Sequence, residues 1–309
     1  MKKINNYFNK GISFILDSDY RFRVLAFLGF FDHCSDEKYL KRMFRSVFNY
    51  DLDLNNPKTF SEKLQWLKLY DRNPLYTMLV DKCAVKKWVA EKLGQEYVVP
   101  NLGMWNSPDE IEFDKLPNQF VLKCNHNSGL GMCICKDKSK LDVQKVKQAL
   151  GNGLKQNYYL TNREWPYKNV ARKIIAEEFL SDGKNQDLAD YKFFCFGGIP
   201  HYCQVITDRN SVEKVDFFDM NWQHQPFTGL TKPFPHADKM PKIPSCFEKM
   251  KQACHILAKD IPFVRVDFYE VNGKMYFGEM TFFPASGLGK FTPDKWNETI
   301  GDKLKLPSK

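Results

Sequence analysis

Three short stretches carry side chains whose types and spacing suit phosphate and cation chemistry. Lys123 sits near the end of the apolar run Phe120-Val121-Leu122-Lys123-Cys124, just before Asn125-His126-Asn127-Ser128-Gly129-Leu130-Gly131. A glycine-containing loop lets backbone N–H groups approach phosphate oxygens, and a lysine on the adjoining strand adds a point charge. Alone, this pattern is neither a Walker A loop nor a dinucleotide fingerprint, and a plain surface turn reads the same way. His126 in that loop reads as a substrate or phosphate contact rather than as an acid–base group.

The second stretch pairs Arg265-x-Asp267 with Glu279-x-Thr281 across Val271-Asn272-Gly273, an Asn-Gly hairpin signal. Alternation puts Arg265, Asp267 and Tyr269 on one face, and Glu279 with Thr281 on one face of the partner strand. If those faces coincide, two carboxylates meet beside an arginine. They ionise together only with a cation between them, and hard oxygen ligands suit Mg²⁺ bound to nucleotide phosphates. The flanking Val264, Val266, Phe268, Tyr276, Phe277, Met280 and Phe282 predict a mostly buried hairpin rather than a solvated ion pair. The third stretch, Glu177-Glu178, closes the apolar run Lys173 to Leu180. It suits either a sheet edge or a hinge whose backbone reads an adenine edge.

The elements that must position these groups are legible in outline. Thr59-x-x-Glu62 is a capping box opening a helix to about Tyr70. Asp81 to Leu93 is a second helix with Val85, Trp88, Val89 and Leu93 on one face, ended by Gly94. Trp66 and Trp88 read as core. Pro100 and Pro108 mark a loop. Strands are expected at 120–124 and 131–135, a helix at 142–154, a strand at 173–180, and antiparallel strands at 191–196, 201–207 and 215–219. Ser245 to Ala258 reads as a helix opened by Ser245-x-x-Glu248, and 263–270 with 274–280 as the hairpin. The class is α+β.

Length and composition bound the rest. The 309 residues, 43% hydrophobic and 27% charged, predict about two lobes with a sizeable core and exclude disorder, collagen and coiled coil. Forty-six Lys+Arg against 37 Asp+Glu give +9, scattered along the chain. That surplus suits polyanions in general, and without a basic stripe interleaved with exposed aromatics it predicts no nucleic acid partner. Nine cysteines, no zinc spacing at Cys124, Cys133 and Cys135, and no secretory signal predict buried reduced thiols and a cytoplasmic protein. Val24 to Phe31 is too short to cross a bilayer. It is expected as a buried helix, with contact to an anionic membrane surface as the alternative.

Seven runs together resemble the ATP-grasp superfamily, and its TupA-like branch most closely: NPKTFSEKLQWLKLYD, DKCAVKKWV, LPNQFVLKCNHNSG, IIAEEFL, DYKFFCFGG, FVRVDFY and MYFGEMTFFPASG. The resemblance covers about residues 50–306. It implies an ATP-grasp fold, two α+β lobes gripping ATP, with a helical N-terminal extension over 1–56. A linking lobe over 57–119, a flap and hinge subdomain over 120–185 and a metal-bearing subdomain over 186–309 would follow. Carried over by position, Lys82 and Lys123 look like the nucleotide-phosphate lysines, and Ser128 and Gly129 lie in the flap. Glu177 with the backbone of Glu178 and Leu180 looks like the adenine hinge, Asp190 like a ribose contact, and Lys192 of the same run like a further nucleotide contact. Asp267, Glu279 and Thr281 resemble the Mg²⁺ ligands, and Arg265, with Lys123, the catalytic cations. Thr281 stands where the wider superfamily has Asn, and Asn127 replaces a flap glycine.

The resemblance implies an ATP-dependent carboxylate–amine ligase acting through an acyl phosphate. Its partners would be ATP, Mg²⁺, an acidic polysaccharide or nucleotide-linked uronate, and an amino acid or other amine. Its setting would be capsular or exopolysaccharide biosynthesis, with peripheral contact to the inner membrane or to capsule-assembly proteins. Three alternatives remain at this point: a sugar kinase with the same nucleotide site, a nucleotide-binding scaffold, and a glycosyltransferase using the D-x-D patterns Asp17-Ser18-Asp19 or Asp51-Leu52-Asp53.

Overall fold

The computed structural model describes residues 14–183, 188–208, 212–230 and 234–308. Two antiparallel sheets organise the chain. The smaller contains β1 (Asn101–Trp105), β2 (Phe120–Cys124), β3 (Cys133–Cys135) and β4 (Ile174–Glu178) in the order β1-β4-β2-β3. In β2, Phe120, Leu122 and Cys124 are buried while Val121 and Lys123 face the other way. The buried face meets Val146 and Leu150 of α6 (Val143–Lys155), forming a small core with Ile111, Leu116, Ile174 and Ala176. Alternation therefore turns Lys123 away from the oil and toward the open face.

The larger sheet contains β5 (Asp190–Phe196), β6 (Ile199–Thr207), β7 (Lys214–Asp219), β9 (Phe263–Val271) and β10 (Lys274–Thr281), ordered β10-β9-β5-β6-β7. A two-residue β8 (Thr228–Gly229) pairs with β11 (Phe291–Thr292) beside it. One face packs on α8 (Phe247–Leu257), whose Phe247, Met250 and Cys254 are buried. On the other, Phe60 stacks edge-on against Phe196, Phe263 and Phe291. Phe60 opens α3 (Phe60–Tyr70), whose capping box forms as expected: the Thr59 hydroxyl accepts from Glu62 N–H while Glu62 Oε2 accepts from Thr59 N–H at 2.9 Å. After α4 (Leu75–Val80), α5 (Ala84–Leu93) buries Val85 and Val89 in the same large core.

Five expectations need correction. The stretch after Pro100 is strand β1, not loop, and it pairs with β4. The expected strand 173–180 forms only over β4. The Ser245 box does not form; Ser245 Oγ and Cys246 N–H instead donate to Glu270, at 3.2 and 2.9 Å. Of the nine free cysteines, Cys34, Cys83 and Cys133 are only half-buried. Finally, α1 (Ser18–Phe27) packs on α2 (Asp36–Phe48) through Phe22 alone among its fully buried residues, leaving Phe27 90%, Leu28 61% and Phe30 71% exposed. The apolar stretch 24–31 is thus not a buried helix; its length spans the helix end and the turn after it. No helix among the described residues is long and apolar enough to cross a membrane.

Both D-x-D patterns are consumed locally. Asp17 caps α1 by accepting from Asp19 and Tyr20 N–H, and Asp19 pairs with Arg42. Asp51 pairs with Arg45 at 2.6 Å, and Asp53 accepts from Asn55 and Asn56 N–H.

Candidate active site

The β9–β10 hairpin turns at Asn272 and Gly273, both at positive φ, as an Asn-Gly turn requires. Between Phe277 and Glu279 the register shifts, with Gly278 as the extra residue. Burial follows the shift: Met275 and Phe277 point inward before it, Met280 after it. Glu279 consequently lies opposite Asp267, Thr281 opposite Arg265, and Lys192 of β5 on the far side of Asp267. The two faces separated in the sequence do coincide.

Three oxygens converge there on one nitrogen. Arg265 Nη2 lies 2.7 Å from Asp267 Oδ2, 3.1 Å from Thr281 Oγ1 and 3.4 Å from Glu279 Oε1, while Arg265 Nε donates to Asp267 Oδ1 at 2.7 Å. Lys192 Nζ bonds Asp267 from the other side and lies 3.7 Å from Asp190. Burial would raise the Asp267 pKa, but Arg265 and Lys192 outweigh it and hold the carboxyl below the usual range. The donor set, two carboxylates and a hydroxyl gathered around the Arg265 guanidinium, is of the hard oxygen type that a divalent cation such as Mg²⁺ takes.

A second charged group faces this one from the small sheet. Glu177 is buried between two lysines, 2.6 Å from Lys86 Nζ and 2.5 Å from Lys123 Nζ. Its neighbours in the ladders are Val121 and Asn101, so Lys123 reaches it diagonally. Lys86 also donates to Val99 O at 2.9 Å and to Asn101 Oδ1 at 2.5 Å. Burial opposes ionisation of Glu177, yet the two lysines prevail and lower its pKa.

Lys82 joins the two groups. Its pKa is lowered, by burial first, and it feels Glu279 on one side and Lys123 and Glu177 on the other. Its ammonium donates to Asn127 O at 2.5 Å. Asn125 fastens this junction: its amide donates to Asp81 Oδ1 at 2.9 Å and to Ala171 O at 2.8 Å, and its carbonyl oxygen accepts from Lys173 N–H at 2.8 Å. The loop then exposes Ser128 and Gly129, the latter at φ +84 with open space where a Cβ would stand. His126 is buried, with Nε2 3.1 Å from Gln156 O and a pKa lowered chiefly by burial, so it faces α6 rather than an open cleft.

Beside Arg265 and Glu279 lies a polar group that sequence reasoning missed. Glu164 is buried and bonded by Ser286 Oγ, and Lys68 donates to Ser286 O at 2.7 Å and Asn162 O at 2.9 Å. Burial pushes the Glu164 carboxyl up and the Lys68 ammonium down. Tyr158, on α7 (Tyr158–Asn162), bonds Ser128 and stacks edge-on with Tyr167 at 4.7 Å; burial raises both phenols. Lys86 was findable, four residues after Lys82, although Lys82 itself lies in the turn just before α5. Glu164 and Tyr158 had no flanking pattern to mark them.

The remaining predicted residues are Glu178, Leu180 and Asp190. Glu178 is exposed and its N–H is already taken by Pro100 O at 3.1 Å; Leu180 is half-buried just past β4. Asp190 is buried at the start of β5, near Lys192.

The family model described as TupA-like ATPgrasp matches residues 62–305. The chain belongs to the TupA-like ATP-grasp family. The match takes in every residue of both charged groups. A search of curated proteins finds no match. Among solved structures, the chain is similar to D-alanine–D-alanine ligase from Helicobacter pylori (16% identity, TM-score 0.43, 81% of this chain and 70% of that one). It is also similar to the ATP complex of the Bacillus anthracis ligase (17%, TM-score 0.38, 66% of this chain) and to the D-cycloserine synthetase DcsG (13%, TM-score 0.36, 75% and 72%). The family member described here spans 54% of the length of the B. anthracis ligase.

Proposed function

We propose that this ATP-grasp protein is an ATP-dependent carboxylate–amine ligase. The observation that carries the reading is the convergence of Asp267, Glu279 and Thr281 on one cationic nitrogen, Arg265 Nη2, with Lys82 feeling Glu279 on one side and Lys123 and Glu177 on the other. In this reading Lys82, Lys123 and Lys86 neutralise the nucleotide phosphates and the loop around Ser128 and Gly129 lies over them. Glu177, Glu178 and Leu180 line the adenine side, and Asp190 and Lys192 the ribose and phosphate side. Asp267, Glu279 and Thr281 hold Mg²⁺, which offsets charge on the phosphates. Arg265 steadies the phosphoryl group as a carboxylate oxygen attacks the γ-phosphorus and ADP leaves. An amine then displaces phosphate from the acyl phosphate to form the amide.

The acceptor carboxylate is read as a uronic acid of a capsular or exopolysaccharide, and the amine as an amino acid; the net charge of +9 is compatible with an acidic glycan. The exposed Phe27, Leu28 and Phe30 support peripheral contact with a membrane. The small lobe is proposed to begin at β1 rather than at residue 120. ADP release from Mg-ATP, measured with a uronate-containing oligosaccharide with and without amino acids, tests the function. Release requiring both, with an amide in the product mass, is expected. Release with sugar alone and an added phosphate mass makes the protein a kinase, and absence of ATP binding overturns the nucleotide site.

A further inference from the structure

A second cluster of ligating side chains lies at the opposite edge of the large sheet. Asp216 is buried on β7 between Val215 and Phe217, an apolar setting in which a carboxylate needs compensation. Its Oδ2 accepts from Ala237 N–H at 3.0 Å. Its Oδ1 takes two imidazoles at once: His224 Nε2 at 2.9 Å and His236 Nδ1 at 2.8 Å. The rings stand 4.9 Å apart at 78°, presenting nitrogens to one oxygen from two directions. Phe218, edge-on to His224 and bridged to it through the backbone, fixes the approach of that ring. Among the described residues, this is the one group of three His, Cys or carboxylate side chains with donor atoms within 4.8 Å of each other.

We infer that Asp216, His224 and His236 form a binding site for a divalent transition metal of the zinc type, separate from the nucleotide site. Two nitrogens and one carboxylate oxygen are the donors such an ion prefers, with water completing the tetrahedron. Ligand atoms about 2.1 Å from a tetrahedral Zn²⁺ stand about 3.4 Å apart, so each contact between Asp216 and a histidine needs to open by only about half an ångström. The Ala237 N–H on the second carboxylate oxygen orients the ligand, as outer-shell donors do at metal sites. Four strand spacings of about 4.8 Å put β7 about 19 Å from β10, too far for the ion to share ligands with Glu279. The ion would clip the long connection from Met220 to Cys246, whose described residues hold only the two-residue β8, onto the sheet edge.

The test uses the tag-free full chain, stripped of metal, given Zn²⁺ alone, desalted and counted by elemental mass spectrometry. One Zn²⁺ per chain is expected for the wild type and for Glu279→Gln. His224→Gln and His236→Gln, both at the surface, should fold as the wild type without metal but bind Zn²⁺ at least about tenfold more weakly in chelator competition. Zn²⁺ should raise the melting temperature of the wild type and of neither histidine variant. No retained Zn²⁺ in the wild type, or full retention in both histidine variants, overturns the site. Loss of the ion in Glu279→Gln overturns it as well, by placing the metal at the nucleotide site.

Discussion

Glu279 stands opposite Asp267 because Gly278 interrupts the register between their strands. A Cβ at 278 would lie 3.0 Å from Asp267 O and 3.2 Å from Tyr269 Cε2. Gly278→Val should therefore destabilise the fold by about 1–3 kcal/mol, and should lower ATP turnover more than tenfold by dislodging Glu279. Glu279→Gln should lose turnover at least as severely, about a hundredfold, with a melting temperature near that of the wild type. Thermal melts alongside initial rates separate the two effects.

Acid should act through Glu177. Its folded pKa lies below the ordinary 4.5, so its contribution to stability is present above that pH and lost as pH falls through the folded value. At neutral pH Glu177→Gln leaves Lys86 and Lys123 without their counter-charge and should cost about 3 kcal/mol. The gap between variant and wild type should narrow below pH 4.5. Denaturant unfolding across that range checks it, and a constant gap would refute the ion-pair origin.

Lys68 and Glu164 oppose each other's burial through Ser286. Lys68→Met alone should cost about 3–5 kcal/mol, and the double variant with Glu164→Gln much less than the sum of the singles. A double-mutant cycle by chemical denaturation reads the coupling directly.

Gly153 seats the flap. A Cβ there would come within 2.7 Å of Cys124 Sγ and 2.8 Å of Leu130 O, and Gly153 O accepts from the Asn127 amide. Gly153→Val should shift the 125–131 loop and raise KM for ATP several-fold more than it lowers kcat. Steady-state kinetics at saturating acceptor would show it.

Much of this was legible in the sequence where local rules decide structure. The Thr59 box, the Asn272-Gly273 turn and the alternation of β2 all depend on neighbours a few residues away. The juxtaposition of Asp267 with Glu279 was foreseeable as a condition, but the bulge that satisfies it depends on how Gly278 fits against β9. Glu177 lies on β4 as its apolar run foretold, but the two lysines that hold its carboxylate were not legible, one being brought in by α5 from far upstream. Strand β1 was missed because Asn101-Leu102-Gly103-Met104-Trp105 has weak strand character and gains its place only from β4. Asp216, His224 and His236 escaped because their spacing has no periodic meaning until the connection after β7 folds back.

Helix α5 belongs to both halves of the molecule. Val85 and Val89 are set in the large core, whereas Lys86 grips Glu177 of the small sheet and Lys82, in the turn before the helix, grips Asn127 in the loop after β2. It thus fastens the two sheets together, by apolar packing on one side and by charge on the other. Removing either ammonium would therefore loosen the hold of the small sheet on this helix while leaving its apolar seat in the large core intact.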